Sequence, residues 1–293
     1  MKLGKMPRLI GRLETCFAPH PHLLTCAAAL CGLLSLPPAA LADNTAAEAA
    51  KFHMNVLPGY LPRAQLPNSF ALLPPPPAAG TVAFAQDKEA SVLNLHLRGT
   101  PRWDMAIEDA NLSFPAAAGA FSCALQAPVT EAGTPILYRT LRRTLTDAGL
   151  ATYTAKNHYN RTRPFVANGA PICTPNLQEP LRKDGSYPSG HTAVGWAWAL
   201  VLTEIAPDRA DAILARGRAF GENRVVCNVH WLSDVEEGRF VGAATVAELH
   251  SSPEFEADLA AAKKELAAIR ARHLPPSRDC AAETAAMAVP FDK

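Results

Sequence analysis

The sequence predicts an all-α fold, a single-domain helical bundle, on three observations. Apolar residues recur at helix-like spacing, most clearly Leu137, Leu141, Leu145 and Leu150, as on helices that bury one face. No stretch of useful length alternates apolar with polar residues, and no internal repeat is present. The breaks between apolar stretches carry helix-start chemistry, as at Pro207-Asp208 and Ser252-Pro253-Glu254.

Residues 1–42 read as a signal peptide. Lys2, Lys5, Arg8 and Arg12 precede an apolar run from Leu23 to Leu36, and Ala40 and Ala42 fit the small-residue cleavage rule, leaving Asp43 as the first mature residue. The run is short for a bilayer span and ends at Pro37-Pro38. Export to the periplasm, with no stable membrane insertion, is the expectation. Residues 43–75 are irregular, and Pro74 to Pro77 must be extended.

The helical domain is expected over 76–272. Helices are predicted over 82–98 and 101–112, split by Gly99-Thr100-Pro101. Others follow over 114–124 and 134–160. Residues 164–188 form a long connection rich in Pro, Gly and Asn, a length that in compact domains usually serves function. Helices resume over 190–205, 207–222, 230–250 and 253–272, and 273–293 is left as a tail.

Cys123, Cys173, Cys227 and Cys280 remain after the leader, an even number that suits an oxidising compartment. Sequence cannot choose among their three pairings. Cys173 with Cys227 is preferred because both flank the motifs below, which leaves Cys123 with Cys280. The formal net charge of +1 gives no support for nucleic-acid binding.

Chemistry concentrates in three segments. The first holds Lys156 and Arg163-Pro164, two helical turns apart if one helix persists. The second is Pro188-Ser189-Gly190-His191, opening a helix whose free amides form an anion site, with the Ser189 hydroxyl as a further donor or as a plain N-cap. The third holds Arg224, His230 and Asp234. A four-residue spacing on one helix face would let Asp234 fix the His230 tautomer and leave the other ring nitrogen free to attack. Fixed cations with amide donors suit a compact oxyanion, phosphate above all. Two imidazoles add a nucleophile and a proton donor. No Cys/His metal spacing accompanies them. The three segments together predict a phosphatase, although alone they would pass for a solvated face, a helix cap and a surface His–Asp pair.

These segments resemble the three-part signature of the type 2 phosphatidic acid phosphatase superfamily, which shares its fold with vanadium haloperoxidases. Within it the chain is similar to class A bacterial non-specific acid phosphatases. Leu73 to Ala78, Glu108-Asp109-Ala110-Asn111-Leu112, Asp147-Ala148-Gly149, Gly185-Ser186-Tyr187 and His230 to Val235 extend the likeness across residues 70–272. The resemblance implies that Lys156, Arg163, Ser189, Gly190 and Arg224 hold the phosphoryl group. His230 would attack phosphorus, oriented by Asp234, and His191 would protonate the leaving alkoxide. It implies no cofactor and no metal, small phosphomonoester substrates, and a family that is often homo-oligomeric. Transfer to alcohols other than water fits the same chemistry. Asn223 departs from the family, which usually has Ser before the arginine. The rivals are a vanadium haloperoxidase, a lipid phosphatase and a non-catalytic phosphate-binding protein. Bromide oxidation would mark the first, preference for lipid phosphates the second, and absence of turnover the third.

Overall fold

The computed structural model describes residues 56–292, so the expected leader and the segment up to residue 55 lie outside the described residues. Helices and turns account for the regular structure, with no β-strand among the described residues.

Helix α1 (Val82–Leu93) is started by the Thr81 hydroxyl, which accepts the Phe84 N–H at 3.2 Å. It tightens into a 3₁₀ turn at Asn94–Leu97. Helix α2 (Pro101–Asp109) has proline in its first turn, where no N–H is needed. The helix expected over 114–124 is a 3₁₀ segment, Ala116–Phe121, followed by one α turn, Ser122–Leu125. The long helix expected over 134–160 is two, α3 (Pro135–Ala151) and α4 (Tyr153–Tyr159). At the break the Thr152 hydroxyl donates to the Gly149 carbonyl at 2.7 Å, a local bond that competes with the helix ladder.

The expected connection over 164–188 contains the short helix α5 (Pro164–Asn168), a 3₁₀ turn at Pro175–Leu177 and an α turn at Gln178–Arg182. Helix α6 (Gly190–Ile205) is followed by α7 (Ala210–Val226), α8 (Leu232–Leu249) and α9 (Pro253–Arg270). The tail is not irregular throughout, since Cys280–Ala288 forms α10, capped by the Asp279 carboxylate on the Ala281 and Ala282 amides.

Helix α6 is central, packed against α3, α7 and α8. Its Val194, Ala197, Trp198, Val201 and Leu202 are buried together with Leu137 and Leu141 of α3 and Phe220 of α7. A helix apolar on most sides belongs in such a position. Close approach depends on missing side chains. A Cβ on Gly195 would lie 2.2 Å from the Phe220 ring, and one on Gly238 would lie 2.6 Å from the Ser189 carbonyl oxygen. The second contact seats the start of α8 beside the start of α6, and so the third motif beside the second.

Two disulfides tie the remaining pieces to this frame. Cys173–Cys227 fastens the 164–188 connection to the residue after α7, and Cys123–Cys280 fastens the tail. Helix α10 packs on α2.

Candidate active site

The three segments meet around one cavity of about 500 Å³, with Lys156, Arg163, Gly190, His191 and His230 among its lining residues. Backbone bonds lock them together. The Ser189 N–H donates to the Asp234 carbonyl at 2.9 Å, the Ser186 N–H to the Arg161 carbonyl at 2.9 Å, and Lys156 Nζ to the Gly185 carbonyl at 2.7 Å.

Lys156 and Arg163 do not share a helix. Asn160 ends α4 in the left-handed region (φ 39°), while Arg163 is extended (φ −74°, ψ 152°) and precedes α5, as the following Pro164 requires. The turn aims both side chains inward, and both are buried.

Arg163 spends its donors on the Leu181, Asp184 and Val229 carbonyls, on the Asp184 carboxylate at 2.9 Å, and on His230 Nε2 at 3.1 Å. A guanidinium cannot accept. His230 Nε2 therefore presents its lone pair to Arg163, and the ring proton sits on Nδ1, 3.3 Å from Asp234 Oδ2. The contact with Asp234 has a different origin from the expected one. His230 precedes α8 rather than lying on it, and Asp234 reaches back to cap the helix, accepting the Trp231 N–H at 2.8 Å.

His191, in the first turn of α6, has its Nε2 3.0 Å from the Ala110 carbonyl, so that nitrogen carries a proton. The Ser189 oxygen caps α6, accepting the Thr192 N–H at 3.2 Å and the Thr192 hydroxyl at 2.9 Å. Its own hydrogen is left for another acceptor.

Arg224, on the last turn of α7, is fully buried; the Cys227 sulfur, at 3.9 Å, accepts from its Nη1, and its Nε is unpartnered. No carboxylate among the described residues lies within ion-pair distance of it. Burial, reinforced by Arg163, pushes its pKa down to about 9. A buried charge of this kind is costly unless something arrives to balance it. Lys156 is also held below the usual lysine range by burial, against the pull of Asp184.

Both imidazoles are shifted well below the ordinary histidine range. Burial is the main cause, followed by Arg163, Lys156 and Arg224 for His230. For His191 burial is followed by Arg224, while the Ala110 carbonyl opposes it. Both rings are therefore biased toward the neutral form in the unliganded protein.

Two residues of this site were not legible. Asp184 sits between Arg163 (2.9 Å) and Lys156 (3.6 Å) as their counter-charge. Arg161 donates to Asp234 Oδ1 at 2.6 Å, to the Ser233 hydroxyl at 2.8 Å and to Asp87 at 2.7 Å. Arg161 lies inside Asn160-Arg161-Thr162, which in sequence matches only a chance glycosylation sequon. The available signal was a second arginine two residues before Arg163. Asn223 does not face the cavity. It accepts from Arg102 Nε at 2.8 Å and donates to Asp109 at 2.8 Å.

The chain is similar to known proteins over most of its length. Residues 140–256 match the family model of the PAP2 superfamily. The chain is 46% identical over 212 residues to a non-specific acid phosphatase of Providencia stuartii, covering 72% of this chain and 86% of the relative. It is 45% identical over 200 residues to a non-specific acid phosphatase of Salmonella typhimurium, covering 68% and 80%. An acid phosphatase of Zymomonas mobilis is 40% identical over 215 residues, covering 73% and 81%.

Proposed function

Because the chain belongs to the PAP2 superfamily, and within it to the non-specific acid phosphatases, we propose that it hydrolyses phosphate monoesters through a phosphohistidine on His230. The observation that carries this reading is Arg224, a buried cation with no ion-pair partner among the described residues, in the same site as His191 and His230.

The phosphoryl group enters as the missing anion. Its oxygens take Arg224, Lys156, the Gly190 amide and the free hydrogen of Ser189. One oxygen also takes over the Arg163 hydrogen bond now made to His230 Nε2, which uncovers the lone pair. Nε2 then forms a bond to phosphorus as the ester P–O bond breaks. The bound anion favours protonation of His191, which takes up a second proton from solvent at Nδ1. The departing electron pair on the alkoxide collects that Nδ1 proton while Nε2–H stays on the Ala110 carbonyl. Neutral His191 next takes a proton from water, the hydroxide attacks phosphorus, and the N–P pair returns to Nε2 with release of phosphate. Fixed charge and positioning are what phosphoryl transfer chiefly demands. An alcohol in place of water gives phosphotransfer.

A panel of phosphomonoesters, diesters and lipid phosphates assayed with wild type and His230→Ala tests the reading. Hydrolysis of monoesters by the wild type alone supports it. Diester or lipid preference refutes it.

His191→Ala is expected to lower turnover of alkyl phosphates by about 10²–10⁴-fold, the usual worth of a positioned acid. p-Nitrophenyl phosphate, whose leaving group needs no proton, should suffer much less. Equal losses on both esters would remove His191 from the proton-donor role.

The pH profile follows from the depressed imidazoles. His230 must be neutral to attack and His191 protonated to donate. In the free enzyme both titrate low, which puts the kcat/KM optimum on the acid side. A bound phosphoryl anion raises both groups, so the kcat optimum should lie at higher pH than that of kcat/KM. Both profiles should be bell-shaped once ionisation of the ester is allowed for. A rate still climbing at alkaline pH contradicts the assignment. Because three cations supply the charge, activity is also expected to persist in excess chelator, and a loss restored by added zinc or magnesium would contradict that.

Export is part of the same proposal. Both disulfides suit an oxidising compartment, and no helix among the described residues is long and apolar enough to cross a membrane.

A further inference from the structure

The cavity extends well beyond the space a phosphoryl group needs. Its charged lining residues, Lys156, Arg163 and Asp184, are those already gathered at the phosphoryl end with the two histidines. The rest of the wall carries Ile107, Leu112, Leu145, Leu150 and Leu177, and the polar residues that interrupt it are neutral amides and hydroxyls, Asn111, Ser113, Thr174 and Asn176 among them. Volumes of this order are typical of small-molecule pockets.

The direction of the ester can be placed. In-line attack by His230 sends the leaving oxygen away from that ring and toward the proton donor His191. His191 is bonded to the Ala110 carbonyl, and Ala110 opens the stretch Ala110–Ser113 that lines the cavity beside Ile107. The alcohol half of the ester therefore emerges into the apolar part. Among the described residues no cation waits there for a second phosphate or a carboxylate, and aliphatic side chains make up more of the wall than its amides and hydroxyls do. We propose that this part is a leaving-group site selecting monoesters of apolar alcohols, alkyl or aryl, over those of glycerol and sugars. The inference rests on the phosphomonoesterase reading above and names the substrate class of that site.

Burying a methylene gives about fourfold in affinity. Two series test the proposal. In n-alkyl phosphates of increasing length, kcat/KM should rise about fourfold per methylene until the chain outgrows the cavity, while glycerol phosphate falls below the propyl ester. Non-hydrolysable n-alkylphosphonates should show the same slope in Kd by calorimetry, a readout independent of turnover. Leu150→Asn and Leu177→Asn, on separate elements and at partly exposed positions, should flatten both slopes. A flat or falling wild-type series, equal use of glycerol and propyl esters, or variants that keep the wild-type slope would overturn the inference while the phosphomonoesterase reading stands. Failure to hydrolyse any monoester, with rising phosphonate affinity intact, would refute the catalytic reading and keep the apolar site.

Discussion

Replacing His230 with alanine is expected to lower kcat by on the order of 10⁴–10⁶-fold, the scale on which removing a covalent nucleophile acts. The size follows from what would be left. Lys156, Arg163 and Arg224 would still bind phosphate, so KM and inhibition by inorganic phosphate should change little, and the loss should sit in kcat. Rapid quench with labelled ester should trap an acid-labile, base-stable phosphoenzyme in wild type and none in His230→Ala. Asp234→Asn offers a graded companion, since an amide in place of Oδ2 can no longer be counted on to accept from Nδ1, 3.3 Å away. Trapped phosphoenzyme in the alanine variant, or a loss of less than tenfold, would move the nucleophile elsewhere.

How much of this site was legible depended on whether a residue's partner lay close in the chain. Lys156, Arg163, Arg224 and the two histidines stand out because their types and spacing suit one anion. The contact between His230 and Asp234 was expected for a reason that differs from the observed one. Both a shared helix face and a helix cap bring residues four apart together, so spacing alone cannot separate them. Arg161 and Asp184 were missed because their roles come from folding. Arg161 is defined by Asp87, 74 residues away, and by Ser233 and Asp234. Asp184 is defined by two cations on the far side of a Pro-rich connection.

The fold shows the same division. The helical class and the order of the main helices follow from apolar spacing and from proline and hydroxyl residues at their starts. At the break the only sequence signal is Gly149 in the last turn of α3, and a lone glycine inside a helical pattern does not by itself end the helix. The helix at Cys280–Ala288 is short and alanine-rich, and helices of that length rarely persist without tertiary support. Here Cys123 supplies a covalent tie, Arg216 bonds Glu283 at 3.0 Å, and Arg278 reaches Asp109 at 2.8 Å.

That last contact leads to the second large effect, on stability. Asp109 is fully buried and accepts from Arg216 at 2.5 and 2.9 Å, from Arg278 at 2.8 Å and from Asn223 at 2.8 Å. Burial alone would push its pKa up, but Arg216 and Arg278 outweigh burial and hold it below the usual carboxylate range. With the folded value depressed, the carboxylate stabilises the fold above the unfolded-state pKa, and that contribution is lost only as pH falls through the lower folded value. It therefore survives at the mildly acid pH where the site is expected to work. Asp109→Ala would leave Arg216 buried with Glu283 as its one remaining carboxylate. Removing one partner of such a buried pair costs about 3–5 kcal/mol, or about 10 °C in Tm for a domain of this size. Activity should fall as well, because Asp109 ends α2 directly before the Ala110 carbonyl that holds His191. Thermal unfolding near pH 5 is the measurement. A fall below about 2 °C would show that this network contributes little, and that the tail is held by Cys123–Cys280 and apolar contact instead.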